Sequence, residues 1–151
     1  MFNVVLVEPE IPPNTGNIGR LCLATGSTLH LVRPLGFALD DRQLQRAGLD
    51  YWKEIDLRLW DSLADLKAAQ PEARWFYLTT KTDRAYSDVA FTAGDFLVFG
   101  RETRGLPEVL LAANADALLR IPMIGTRSLN LATAVAIVLF EAMRQQRRVV
   151  D

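Results

Sequence analysis

The sequence predicts an α/β domain, a mostly parallel sheet with helices on both faces. Three observations carry this. Short apolar runs alternate with helix-length segments along the chain, the pattern of β-α units wound into one sheet. The runs are apolar throughout rather than at every second residue, as strands covered on both faces require. Loops rich in glycine and polar residues follow several of these runs, where open parallel sheets bind their ligands.

Phe2 to Val7 is an apolar, β-branched run closed by Glu8-Pro9, and reads as a buried strand. Residues 8–15 carry three prolines and are expected to be a loop. Gly16 to Thr25 reads as a helix, with Gly26 as its C-cap. Thr28 to Val32 is a second strand, and Pro34 and Gly36 break the chain after it. Asp40 or Asp41 caps a helix to about Ala47, and Asp61 or Ser62 caps another to about Ala69. Trp75 to Thr79 and Asp95 to Phe99 are strands. Pro107 suits the first turn of a helix through about Ala113. Leu118 to Ile121 is a strand stopped by Pro122, and Ser128 or Asn130 opens a long helix to about Gln146.

That last helix is apolar almost all round from Leu129 to Phe140, with only Asn130 and Thr133 polar. A surface helix of a monomer shows one apolar stripe. The expectation is therefore an oligomer interface or a place deep in the core.

With 151 residues, of which 50% are hydrophobic and 23% charged, the chain is expected to be one domain, residues 1–151, with an ordinary core. Seventeen cations against 18 anions exclude a polybasic nucleic-acid binder, leaving room for a local patch. Fourteen of the cations are arginine, the residue for bidentate contacts to phosphate and carboxylate. They weigh toward the last third, where residues 101–151 hold seven cations and five anions. The lone Cys22 allows no internal disulfide, and the N-terminus shows neither a basic n-region nor a cleavage site, so a cytoplasmic protein is expected. The longest apolar stretch falls short of the roughly 20 residues of a spanning helix, so no membrane role is expected.

Familiar sites are missing. There is no G-x-G-x-x-G after the first strand and no G-x-x-x-x-G-K-[ST]. One Cys and one His give no zinc site, and no metal is expected. His30, between Leu29 and Leu31, reads as a structural histidine, and Cys22 as a small core residue.

Three loops remain: Asn14 to Arg20, Gly100 to Pro107, and Ile121 to Asn130. Each alone reads as helix caps and turn glycines. Together, at three strand ends, they bring more Gly, Asn, Ser, Glu and Arg than structure alone needs.

In that order the loops resemble the three motifs of the SPOUT class of RNA methyltransferases. They read Asn14-Thr-Gly-Asn17-x-x-Arg20, Phe99-Gly-x-Glu102-x-x-Gly-Leu-Pro107 and Ile121-Pro-Met123-x-x-x-Arg-Ser128-Leu-Asn130-Leu. Glu8-Pro-Glu-Ile-Pro-Pro-Asn14 and Arg46-Ala-Gly-Leu-Asp-Tyr51 are similar to the minimal subfamily, tRNA (cytidine/uridine) 2′-O-methyltransferases. The resemblance implies a C-terminal deep trefoil knot, S-adenosyl-L-methionine as cofactor, a homodimer joined through the C-terminal helix, and tRNA as substrate. The target it implies is the ribose of the wobble nucleotide, cytidine or 5-carboxymethylaminomethyluridine, in tRNA-Leu isoacceptors. It assigns cofactor contacts to Leu78, Thr79, Gly100, Ile121, Met123, Ser128 and Leu129. It places Asn17, Arg20, Glu102, Ser128 and Asn130 at the methyl-transfer site, with Arg20 as base or electrostatic stabiliser. Phe140 stands where related sequences often carry Tyr. Two alternatives stay open: methylation of another tRNA or a ribosomal RNA nucleotide, and a non-catalytic RNA-binding module on the same fold. For RNA contacts, charge points to Arg127, Arg144, Arg147 and Arg148.

Overall fold

The structure is a computed structural model that describes residues 1–150, with side chains through Arg147. In chain order its regular elements are β1 (Asn3–Val7), α1 (Pro12–Thr25), β2 (Thr28–Val32), α2 (Arg42–Gly48), β3 (Leu57–Trp60), α3 (Leu63–Ala69), β4 (Trp75–Leu78), β5 (Phe96–Phe99), α4 (Glu108–Ala113), β6 (Leu118–Leu119) and α5 (Leu131–Val150). The strands form one sheet in the order β3-β2-β1-β5-β4-β6. Every adjacent pair is parallel.

Both faces of the sheet are covered, as the unbroken apolar runs require. Val4, Leu6, Leu29, Leu31, Leu97 and Phe99 point to one side, where Ile18 and Cys22 of α1 and Val135 and Leu139 of α5 meet them. Val5, Val7, Val32, Phe96 and Val98 point to the other, against Leu66 of α3 and Leu111 of α4. The sheet grows outward in both directions from the β1/β5 pair, so the chain reverses its winding there. Loops on the two sides of such a reversal part at the strand ends and leave a crevice.

Element positions follow local chemistry. Asp41 caps α2 by accepting from the Gln43 and Leu44 amides, and Ser62 caps α3 by accepting from Asp65. Gly26 closes α1 with φ 66°. Gly16 lets α2 lie directly on α1, since a Cβ there would stand 2.3 Å from the Leu44 carbonyl oxygen.

Several boundaries differ from the sequence reading. Helix α1 starts at Pro12, four residues before Gly16. Two prolines sit at its first positions, where no helical amide bond is lost and φ is already set. Pro107 is the N-cap of α4 rather than a residue of its first turn. Strand β6 is two residues long instead of four, because it pairs only with Tyr77 and Leu78, and Ile121 goes to the cavity described below. Strand β3 is an unforeseen edge strand, with only Leu57, Leu59 and Trp60 partly buried. Asn130 rather than Ser128 caps α5, its Oδ1 accepting from the Thr133 amide at 3.2 Å, and the helix runs past Gln146.

His30 and Cys22 are the core residues expected. The Trp60 indole N–H donates to His30 Nδ1 at 3.0 Å, which fixes the ring proton on Nε2, 2.9 Å from Asn3 Oδ1. Burial, aided by the Arg58 charge, lowers His30 to about 4. Burial pushes the Cys22 thiol up to about 12, an inert group.

In α5, Leu131, Val135, Val138, Leu139 and Ala142 are buried at helical spacing. The opposite side, with Thr133 and Phe140, faces outward, and Phe140 is 51% exposed. This chain therefore buries one side of the helix and leaves an apolar side uncovered.

Candidate active site at the carboxyl ends of the strands

A cavity of about 490 Å³ opens where β1, β4, β5 and β6 end. That is within the range of small-ligand and cofactor pockets. Residues from the three loops line it, together with Leu78 to Lys81 from the end of β4.

The loops after β1 and β5 are tied together by a reciprocal clasp. The Glu10 and Ile11 amides donate to the two oxygens of Glu102, at 2.9 and 2.8 Å. Asn14 Nδ2 donates to the same carboxylate at 3.2 Å. In return, the Thr103 amide and hydroxyl donate to Glu10 Oε1 at 3.0 and 2.8 Å. Those Thr103 bonds hold the Glu10 carboxyl below its ordinary pKa. Asn130 Nδ2 then donates to Asn14 Oδ1 at 3.0 Å, joining the third loop to the first two. Glu102 thus fixes the two residues that lead into α1 from another loop, near the helix end whose dipole favours an anion.

Gly100 allows the β5 loop to fold tightly. The Gly105 amide donates to the Arg101 carbonyl at 2.8 Å, and Gly105 itself has φ 67°. A Cβ on Gly100 would lie 2.1 Å from the Gly105 carbonyl carbon and 2.3 Å from the Leu106 nitrogen. Only glycine fits there.

The third wall is open. Among the described residues, no backbone amide from Ile121 to Leu129 donates a hydrogen bond within the chain. The Thr126 hydroxyl donates to the Ser128 carbonyl at 3.2 Å, and Ile124 is fully exposed. A polypeptide that turns such donors toward a cavity can pair with a ligand's polar edge. Leu78, Ile121, Met123 and Leu129 give the same space an apolar lining.

All seven residues expected to contact a cofactor line this cavity: Leu78, Thr79, Gly100, Ile121, Met123, Ser128 and Leu129. Of those expected at the transfer site, Glu102, Ser128 and Asn130 also line it. Asn17 and Arg20 do not. Both are exposed on α1, and the Arg20 guanidinium carbon lies 5.8 Å from the centre of the Tyr51 ring. Sequence reasoning gave Glu10 no role, and it quoted Asn14 within the first motif and as a possible helix cap without a place at the site. The available signal was a lone carboxylate, Glu10, set between prolines at a strand end. Among the expected RNA contacts, Arg127 lines the cavity. Arg144 is held by Glu141 through two bonds of 2.7 and 2.9 Å, Arg147 is exposed, and the Arg148 side chain lies outside those described. Among the described residues no helix is long and apolar enough to cross a membrane, and no group of three or more His, Cys, Asp or Glu is placed to hold a metal.

Comparison with known proteins places this geometry. The model of the SpoU rRNA methylase family matches residues 1–140. A tRNA (cytidine(34)-2′-O)-methyltransferase from Burkholderia ambifaria is 53% identical over 150 residues, covering 96% of both chains. The Escherichia coli protein of the same name is 53% identical over 148 residues, 96% of this chain and 94% of that one. A solved structure presented as insight into the 2-OH methylation of C/U34 on tRNA superposes with a TM-score of 0.92 at 49% identity, covering 97% of each. The SpoU methyltransferase AviRb of Streptomyces viridochromogenes, in complex with AdoMet, gives a TM-score of 0.84 at 26% identity, over 97% of this chain and 60% of that one. Sequence and fold agree: the chain belongs to the SpoU methylase family.

Proposed function

We propose that this chain is an S-adenosyl-L-methionine-dependent tRNA 2′-O-methyltransferase acting on the wobble ribose, at C34 or a modified U34. The observation that carries it is the convergence of three distant loops on one cavity. The relatives' names supply the substrate class.

The lining suits the cofactor. Leu78, Ile121 and Leu129 offer an apolar slot for a purine ring, and the free amides of Ile121 to Leu129 offer donors for its polar edge. Bound there, S-adenosylmethionine supplies a methyl group on a positive sulfur, open to displacement by an oxygen nucleophile. The protein's work is to hold the ribose hydroxyl in line and to lower the cost of its developing charge. Ser128 and Asn130, at the cavity wall, are assigned to orienting that hydroxyl. Glu102 is assigned to positioning, because its oxygens already accept three bonds from the first loop.

Arg20 is assigned to the developing alkoxide. A guanidinium keeps its proton in nearly all protein settings, so electrostatic stabilisation is favoured over base catalysis, and the ribose hydroxyl's proton passes to solvent water. Asn17 and Arg20 lie outside their own chain's cavity, so they are expected to act in an assembled homodimer. The uncovered apolar side of α5, with Phe140, is the surface assigned to that dimer.

A trefoil knot in the C-terminal segment is part of the same reading. Strand β6 lies at the sheet edge, yet α5 returns to pack beside α1 and β5. The β4–β5 connection holds α5 there: Gln145 Oε1 accepts from the Phe91 amide at 2.7 Å, and Gln146 Nε2 donates to the Phe91 carbonyl at 2.7 Å. One domain and a cytoplasmic setting complete the proposal.

The test is transfer of a labelled methyl from S-adenosylmethionine to bulk tRNA, followed by mapping of the modified nucleotide. Label on the position-34 ribose is expected. Label on a ribosomal RNA ribose, or none on any RNA, overturns the reading. Near-normal activity in Arg20→Ala would remove Arg20 from it.

A further inference from the structure

Four cations line the cavity: Lys81, Arg101, Arg104 and Arg127. Two are spoken for. Lys81 pairs with Glu108 at 2.5 Å, and Arg101 lies 3.7 Å from Glu8. Arg104 and Arg127 form no hydrogen bond or ion pair with any described residue, and both are exposed to water. They come from separate loops, Arg104 from the tight turn after β5 and Arg127 from the open segment before α5. The one acid in the lining, Glu102, has both oxygens occupied by donors of the first loop. The cavity therefore carries two solvent-exposed guanidinium groups without a direct partner among the described residues, Arg104 at a distance where its charge still favours the Glu10 carboxylate.

We propose that Arg104 and Arg127 bracket the RNA backbone at the cavity, each taking a phosphate next to the target nucleotide. This rests on the tRNA methyltransferase reading and adds the residues that seat the substrate. A guanidinium fork matches two phosphate oxygens, and RNA is the polyanion that reading supplies. The cofactor carboxylate is the other anion a guanidinium could take here, and the cofactor-affinity arm of the experiment separates the two. The sequence alone points to Arg127, together with the C-terminal arginines, and not to Arg104. Arg144 is neutralised by Glu141 through a bidentate pair and is not free in the same way.

The experiment compares wild type, Arg104→Ala, Arg127→Ala, the double variant and Arg144→Ala. Affinity for an unmodified tRNA transcript is measured across a potassium chloride series, and S-adenosylhomocysteine affinity by calorimetry. Each single rim substitution should flatten the plot of log affinity against log salt by about 1, the double by about 2, and Arg144→Ala by much less. Each rim substitution should weaken tRNA binding about tenfold at physiological salt, the weight of one hydrogen bond to an ion. Homocysteine-product affinity should not move. Parallel plots for wild type and the double variant overturn the proposal, as does a wild type that binds no tRNA. Loss of product affinity with an unchanged salt slope also overturns it, and moves the two arginines to the cofactor carboxylate. The enzyme reading is judged separately, by whether wild type labels the position-34 ribose.

Discussion

The segment entering α1 and the segment entering α5 border the same cavity and are held in opposite ways. Before α1, the Glu10 and Ile11 amides are taken up by Glu102, and Pro12 and Pro13 have no amide to satisfy. Before α5, the amides of Ile121 and of Met123 to Leu129 find no acceptor among the described residues, and regular structure begins only at the Asn130 cap. One wall is finished by folding. The other leaves its backbone donors open, on a segment largely exposed to water. A pocket built this way keeps its reacting groups registered on the fixed wall while the open wall adapts to what enters.

The sharpest way to break the fixed wall is Gly100→Ala. The new methyl group would collide with backbone atoms of Gly105 and Leu106, which cannot rotate aside. Destabilisation of more than about 4 kcal/mol is expected, and the folded fraction that remains should not bind S-adenosylhomocysteine. Denaturant melts and calorimetry check both. A melt within about 1 kcal/mol of wild type would show that the β5 turn is not rigid.

Glu102→Ala should come next. It leaves two helix-entry amides and the Asn14 amide group without a charged acceptor. A loss of about 2–4 kcal/mol is expected, since each bond to an ion contributes about 1.5–3 and water recovers part of it. Glu102→Gln keeps one acceptor oxygen and should lose less. Activity should fall in both with little change in cofactor affinity if Glu102 serves the proposed positioning role, since its oxygens are taken up by the first loop. The other half of the clasp gives a pH signature. The Glu10 carboxyl is held below its ordinary pKa by the Thr103 bonds, so the folded state binds that proton less readily than the unfolded chain. Its contribution is present above the ordinary glutamate range and is lost as pH falls through the lowered value. Melts from pH 7 down to 3 should show a shallower acid limb in Glu10→Gln, and an unchanged limb would discount the clasp.

The two walls were also unequally legible in the sequence. The apolar runs gave the sheet, because strands buried on both faces must look that way, and β1, β2, β4 and β5 fell within a residue or so of their expected ends. The open wall was legible as a site, because Ser128, Leu129 and their neighbours belong to one contiguous segment. The fixed wall's two loops were legible as site loops, but the clasp that joins them was not. Glu10 and Glu102 are separated by most of the chain, and no local pattern says that one takes the other's loop. Strand β3 escaped for a related reason: Leu57-Arg58-Leu59-Trp60 is an edge strand whose partner, β2, lies across a long excursion. Asn17 and Arg20 were legible only through resemblance, and the single chain leaves them outside the cavity.

The smallest effect belongs to the open wall, and it tests the contrast most cleanly. Ile124 is fully exposed, so Ile124→Ser removes no buried surface and should change stability by no more than about 0.5 kcal/mol. A larger loss would mean that this segment is packed in solution. The same segment should respond to ligand where the fixed wall does not. The amides of Ile121 and of Met123 to Leu129 lack acceptors among the described residues, so they should exchange with solvent rapidly in the free protein and slow when S-adenosylhomocysteine is added. The Ile11 amide, already bonded to Glu102 at 2.8 Å, should exchange slowly in both states. Equal protection of the two segments without ligand would erase the distinction between a wall completed by the chain and a wall completed by its cofactor.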